Sequence, residues 1–118
     1  MRPRSCKAKG RRLQQKLRDR VLRIYPILTP DDVRSNPMGN GGCDLMLSSQ
    51  AKRLFPFSVE CKNEQRIAIW EALAQAEANC EPDTFPLVVF SRNRSPMYAA
   101  LPLDSLLVLI AAAKASAA

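Results

Sequence analysis

Phe57-Ser58-Val59-Glu60-Cys61-Lys62 alternates apolar and polar residues, an Ala-, Glu- and Gln-rich segment follows, and Leu87-Val88-Val89-Phe90 is an unbroken apolar run. Period-two alternation predicts a strand with Phe57, Val59 and Cys61 facing a core and Ser58, Glu60 and Lys62 facing the other way. The middle segment predicts a helix over Ile67 to Asn79, with Trp70, Leu73 and Ala74 as its core stripe. The apolar run, bounded by turn residues, is expected of a strand buried on both faces. Strand, helix, strand in close succession implies a right-handed βαβ crossover with the two strands in one sheet.

The rest of the sequence arranges itself around this unit. Leu13, Leu17, Val21 and Ile24 recur at helical spacing, predicting a helix from Arg11 to Ile24 that stops before Pro26 and Pro30. Asp31 to Ser35 reads as a short strand, Asn36 to Gly42 as a turn-rich loop, and Asp44-Leu45-Met46-Leu47 as a second strand. Ser48 to Arg53 reads as a polar connection. A basic loop, Arg92 to Pro96, precedes a short strand from Met97 to Leu101, and an apolar helix runs from Pro102 or Asp104 to Lys114. The expected fold is α/β, a central mixed β-sheet of about five strands flanked by helices. At 118 residues the chain suits one domain over residues 11–118, preceded by a disordered basic arm at residues 1–10.

Composition narrows the chemistry. The net charge is +7, and histidine is absent. Without histidine, Ser-His-Asp and Cys-His catalysis and histidine-based nuclease mechanisms are excluded. Ten of the 18 lysines and arginines fall between Arg2 and Arg23, where Asp19 is the one acidic residue. Such a concentration favours a polyanionic partner, DNA above all, with Lys9, Arg11, Arg12 and Lys16 as phosphate contacts on the arm and first helix. Arg92 and Arg94 on the later loop read either as further phosphate contacts or as charges of a solvated loop. Four cysteines without a C-x-x-C pair argue against a zinc ribbon or a disulfide framework. No segment has the apolar length of a signal peptide or a membrane span, so a cytoplasmic protein in a reducing compartment is expected.

Asp44 and the Glu60-Cys61-Lys62 triplet carry the chemistry. If their strands are neighbours, two carboxylates and one ammonium converge. Asp44 and Glu60 then offer hard oxygen ligands to Mg²⁺, or to Mn²⁺ in its place, with the Cys61 carbonyl as an extra ligand. Such a cation would polarise a phosphate and acidify a bound water. Lys62 would orient or deprotonate that water, or stabilise developing negative charge. Trp70 offers a base-stacking surface or a core side chain, and its helical spacing with Leu73 favours the core.

Gly42-Cys43-Asp44, followed by Glu60-Cys61-Lys62 and then Gln75 on the next helix, resembles the PD-(D/E)XK nuclease superfamily over Arg11 to Leu107. Cys43 stands where the motif's proline would be. The compact size and basic amino end are most similar to the archaeal and phage Holliday junction resolvases. The resemblance implies a restriction-endonuclease-like core and a metal-dependent endonuclease acting on four-way or branched DNA in recombination, repair or phage genome processing. Flaps, nicks and ordinary duplex are the alternative substrates, and a non-catalytic basic DNA-binding protein is the alternative class. It further implies catalytic roles for Asp44, Glu60, Lys62 and Gln75, although Gln75, 13 residues past Lys62, either reaches the site or sits on the helix surface. The stretch from Arg34 through Ser35 to Gly39 resembles the serine-bearing loop of those enzymes, which adds Arg34 and Ser35 to the DNA contacts. Gln14 and Gln15 occupy the region where a first-helix glutamate is usual. A resolvase cuts two symmetric strands, which implies a homodimer, and the apolar last helix either caps the sheet or forms the two-fold interface.

Overall fold

The computed structural model describes residues 3–37 and 41–117, with side chains from Ala8 onward within those ranges. The elements run α1 (Pro3–Ile24), β1 (Val33–Ser35), β2 (Leu45–Leu47), α2 (Ser49–Leu54), β3 (Phe57–Asn63), α3 (Ile69–Ala78), β4 (Phe85–Ser91), β5 (Tyr98–Ala100) and α4 (Leu103–Ala117). The chain is therefore α/β.

The crossover unit is present. β3 and β4 pair in parallel, with Glu60 opposite Val88 and Lys62 opposite Phe90, and α3 connects them. β5 adds antiparallel to β4, with Phe90 opposite Tyr98. The five-stranded sheet expected from the sequence is corrected to two sheets, a three-stranded β3-β4-β5 and a two-stranded β1-β2. β2 is short for a reason. Ser48 caps α2 by accepting a hydrogen bond from Ala51 N at 3.1 Å, which turns the chain away before a ladder with β3 can form. The β1-β2 hairpin instead meets β3 where Asp44 N donates to the Val59 carbonyl at 2.7 Å. The expected polar connection over Ser48 to Arg53 is largely this helix.

Helices cover both faces of β3-β4. On one side Leu13 and Val21 of α1 pack with Leu28, Val33, Leu45, Val59, Cys61, Leu87 and Val89. On the other, Ala72 and Ala76 of α3 lie on Val88, flanked by Ile69, Leu73, Phe90 and Ala100. Alanine at both contact positions lets the α3 backbone approach the sheet closely. Ser58 and Glu60 are consequently buried although the alternation predicted an open polar face.

Four further expectations are corrected. Trp70 is 80% exposed, because the buried stripe of α3 runs through Ala72 and Ala76 rather than through Trp70 and Ala74. Ile24 is also exposed, since α1 ends there and Leu28 fills the core beyond it. The arm expected to be disordered is helical in its backbone from Pro3, with Met1 and Arg2 outside the described residues. The last helix does not cap the sheet: α4 buries none of its residues and exposes Leu103, Leu106, Leu107, Val108 and Ile110. Met38, Gly39 and Asn40 of the expected turn-rich loop lie outside the described residues. Among those residues Cys43, Cys61 and Cys80 are free thiols, and no helix is long and apolar enough to cross a membrane.

Candidate active site

Asp44 is placed by the turn that precedes it. Gly42 has φ +90, a left-handed conformation that glycine adopts without strain. Asn36 then fastens the turn, its Nδ2 donating to the carbonyls of Gly41 at 3.1 Å and Cys43 at 2.9 Å. Its backbone N donates to the Asp44 carbonyl at 2.8 Å. The Asp44 carboxylate reaches β3 directly, with Oδ2 accepting from Cys61 N at 2.6 Å. The aspartate is thus seated against the peptide between Glu60 and Lys62. Cys43, in the motif's proline position, is buried and donates its thiol to the Leu45 carbonyl at 3.2 Å.

Glu60 is 2% exposed and sits under the end of α3, where Asn79 Nδ2 donates to its Oε1 at 2.9 Å. Burial pushes the Glu60 carboxyl above its ordinary range, the Asn79 bond counters this, the Asp44 charge adds to the rise, and Lys62 pulls it back. Asp44 is likewise pushed up by burial and drawn down by the Cys61 N–H and by the Lys62 charge. The structure therefore brings Asp44, Glu60 and Lys62 into one electrostatic unit. Cys61 contributes its N–H to this unit. Its thiol is buried in the α1-side core and is pushed far above the ordinary thiol range by burial.

Gln75 is exposed on α3. The α3 residue that touches Glu60 is Asn79, one turn further on, whose backbone N donates to the Gln75 carbonyl at 3.0 Å. Sequence reasoning missed Asn79. The available signal was its position four residues after Gln75, on the same helix face. Gln14 is 2% exposed within the α1 face that covers the sheet, and Gln15 points to solvent. A third carboxylate lies nearby, for Cys43 Sγ is 3.8 Å from Glu81 Oε1, but Glu81 is paired with Lys52.

Among the described residues no group of three or more His, Cys, Asp or Glu side chains is assembled to hold a metal ion. Two carboxylates nonetheless suit one kind of cation. Mg²⁺ is usually held by one or two carboxylates together with waters and substrate phosphate, rather than by an all-protein cage. Asp44 and Glu60 each commit one oxygen to a protein donor, which fixes the carboxylates in place. Burial is the main cause of their raised proton affinities, with the Asp44 charge a lesser one at Glu60, and a bound cation would favour the ionised forms.

A basic cleft of about 360 Å³ lies at the end of β3 on the α1 side, where Asn63 rather than Lys62 lines it. Lys9, Arg12 and Lys16 of α1 line one wall, and Arg92 and Arg94 of the β4-β5 loop line the other, with Asn63 and Ser91 between them. No carboxylate lines it. Asn63 Nδ2 donates to the Lys9 carbonyl at 3.4 Å, tying α1 to the end of β3. Five of the eight side chains expected to contact DNA are thereby gathered from distant parts of the sequence. The other three lie elsewhere: Arg11 and Arg34 are exposed outside the cleft, and Ser35 is half-buried on β1, its Oγ without a hydrogen-bond partner among the described residues.

No protein-family model matches the chain. Neither a curated protein nor a solved structure matches it.

Proposed function

We propose that this chain is a metal-dependent DNA endonuclease of the PD-(D/E)XK type, acting on branched DNA such as a four-way junction. The observation that carries this reading is the electrostatic coupling of Asp44, Glu60 and Lys62, two carboxylates and one ammonium drawn together from separate elements, in a chain that also holds a cleft lined by five cations. A bare basic cleft would favour DNA binding alone. Two desolvated carboxylates coupled to a lysine have no use in holding a polyanion.

Asp44 and Glu60 would hold Mg²⁺ or Mn²⁺. Bound there, the cation supplies Lewis-acid polarisation of the scissile phosphate and a more acidic water. The chain's own residues do the rest. Asn79 and the Cys61 N–H fix the carboxylate rotamers. Lys62 steers water or steadies negative charge as water adds to phosphorus and a P–O bond breaks. Lys9, Arg12, Lys16, Arg92 and Arg94 hold the flanking phosphates. A cytoplasmic homodimer, joined through α4, places two such centres on one symmetric substrate.

The test is cleavage of a four-way junction and of linear duplex of the same sequence, in Mg²⁺, by the wild type and by Glu60→Gln. Junction cleavage that Glu60→Gln abolishes supports the proposal. Equal rates on the two DNAs would reassign the substrate to duplex, flap or nick. Binding without cleavage in either metal would leave a non-catalytic DNA-binding protein.

A further inference from the structure

Next to the basic cleft lies a second cavity, of about 420 Å³, lined by Glu64, Gln65, Ile67, Phe90, Arg92 and Tyr98. Ser91, Arg92 and Ser95 border both cavities, so the two adjoin at the end of β4. Their characters differ sharply. The cleft carries five cations and no carboxylate, whereas the second cavity carries one arginine, one carboxylate and an aromatic floor.

That floor belongs to the candidate catalytic face. Lys62 is opposite Phe90, and Phe90 is opposite Tyr98, so the three form one row across β3, β4 and β5. Residues paired in this way project from the same face of the sheet. Two strand spacings, roughly 10 Å, separate Lys62 from Tyr98. The Phe90 and Tyr98 rings stack with centroids 5.9 Å apart and planes 28° apart. Tyr98 is 55% exposed, an unusual amount for a large aromatic side chain on a sheet. Its position at the sheet edge leaves the outer face of that stack open.

We infer that this cavity receives an unpaired nucleobase, stacked on Tyr98, while Arg92 holds the phosphate that links it to the strand in the basic cleft. The inference rests on the nuclease reading and sharpens its substrate to DNA with a splayed or unpaired base beside the cut. A flat aromatic surface accepts any base face, and stacking on such a surface contributes about 1–3 kcal/mol per base. The lone carboxylate makes the cavity unsuited to a second phosphate. Glu64 and Gln65 instead offer hydrogen-bonding groups for a base edge. A fully paired duplex presents no free base face, so it gains nothing from the cavity.

The experiment compares binding of a single strand of about 16 nucleotides with binding of fully paired duplex, in Ca²⁺ to prevent cleavage. The proteins are the wild type, Tyr98→Ala and Tyr98→Phe. A fluorescent adenine analogue in the single strand reports stacking independently of affinity. The expected result is a loss of about tenfold on the single strand for Tyr98→Ala, retention by Tyr98→Phe, unchanged duplex affinity, and quenching of the analogue by the wild type. Equal losses on both DNAs, an unaffected Tyr98→Ala, or an unquenched analogue would overturn the base pocket. In those cases salt-dependent duplex binding and metal-dependent cleavage would leave the nuclease reading intact. A wild type that binds neither DNA would overturn both.

Discussion

Asn79 donates to Glu60 across 2.9 Å, tying the C-terminal end of α3 to the middle of β3. The crossover helix that completes the fold thus also orients a candidate metal ligand. A buried carboxylate with one oxygen fixed keeps a single orientation for the other, which is what positioning a cation demands.

Replacing Asn79 therefore acts on metal affinity before it acts on chemistry. Asn79→Ala should weaken Mg²⁺ by about 10–100-fold, the usual effect of losing a group that orients a metal ligand. Asn79→Asp should be worse, because a further carboxylate beside Glu60 and Asp44 raises the Glu60 proton affinity again. Titrating cleavage against Mg²⁺ checks this. Saturating metal should restore most of the rate to Asn79→Ala, whereas a purely structural defect would persist at every concentration.

Asp44 and Glu60 also give the protein a defined dependence on pH. Both carboxyls have proton affinities raised above their ordinary values, so the folded state holds protons that the unfolded chain releases. Their contribution to stability is greatest below the ordinary carboxylate range and falls as pH rises through the raised values. Mg²⁺ binding has the opposite sign, since it needs the ionised forms. At about 100 times its dissociation constant the cation adds about 2.7 kcal/mol, on the order of 10 °C in Tm for a domain of this size. Thermal melts with and without Mg²⁺ should show a gap that widens from mildly acid to neutral pH. Glu60→Gln should abolish the gap and raise the metal-free Tm at neutral pH.

The period-two strand, the Ala-rich helix and the apolar run made the β3-α3-β4 unit legible, because local pattern alone specifies those elements and their order. The same pattern placed Asp44 and Glu60 near each other once their strands were neighbours. What it could not show was depth. Ser58 and Glu60 look solvent-facing in the sequence, and only the small side chains at Ala72 and Ala76 allow a helix to come down over them. Trp70 looked like core for the same reason, since helical spacing does not reveal which face a crossover turns inward. The split into two sheets hinged on Ser48, whose hydroxyl can serve a loop or cap a helix equally well. Asn79 was missed because contact between a helix end and a strand is a tertiary fact.

The basic cleft predicts a salt dependence that individual residues share. Each phosphate neutralised on duplex DNA contributes about −0.9 to the slope of log affinity against log salt. Arg92→Ala and Arg94→Ala together should flatten the slope by about 2. Arg11→Ala, whose side chain lies outside the cleft, should change it far less. Lys62→Ala should leave the slope nearly unchanged while cutting the rate by about 10²–10⁴. Binding and single-turnover cleavage across a salt series separate these effects.

The exposed apolar surface of α4 bears on assembly. Leu103, Leu106, Leu107, Val108 and Ile110 stand in water together, although the helix carries only Asp104 in its first turn and Lys114 in its last. Those two charges are ten residues apart, about 15 Å along a helix. Antiparallel pairing of two α4 helices about a two-fold axis would set each Asp104 against the other copy's Lys114 while burying both apolar surfaces. Sedimentation at rising concentration should therefore show a monomer–dimer equilibrium. Leu107→Glu should shift it toward monomer by at least tenfold, given about 1.5–3 kcal/mol for each large apolar side chain buried. Asp104→Lys should weaken the dimer, and the double variant Asp104→Lys with Lys114→Asp should restore it, because exchanging both charges regenerates the antiparallel pair. A dimer indifferent to all three would have to use another surface. A monomer at every concentration would require the two cuts at a junction to be made by independently bound copies.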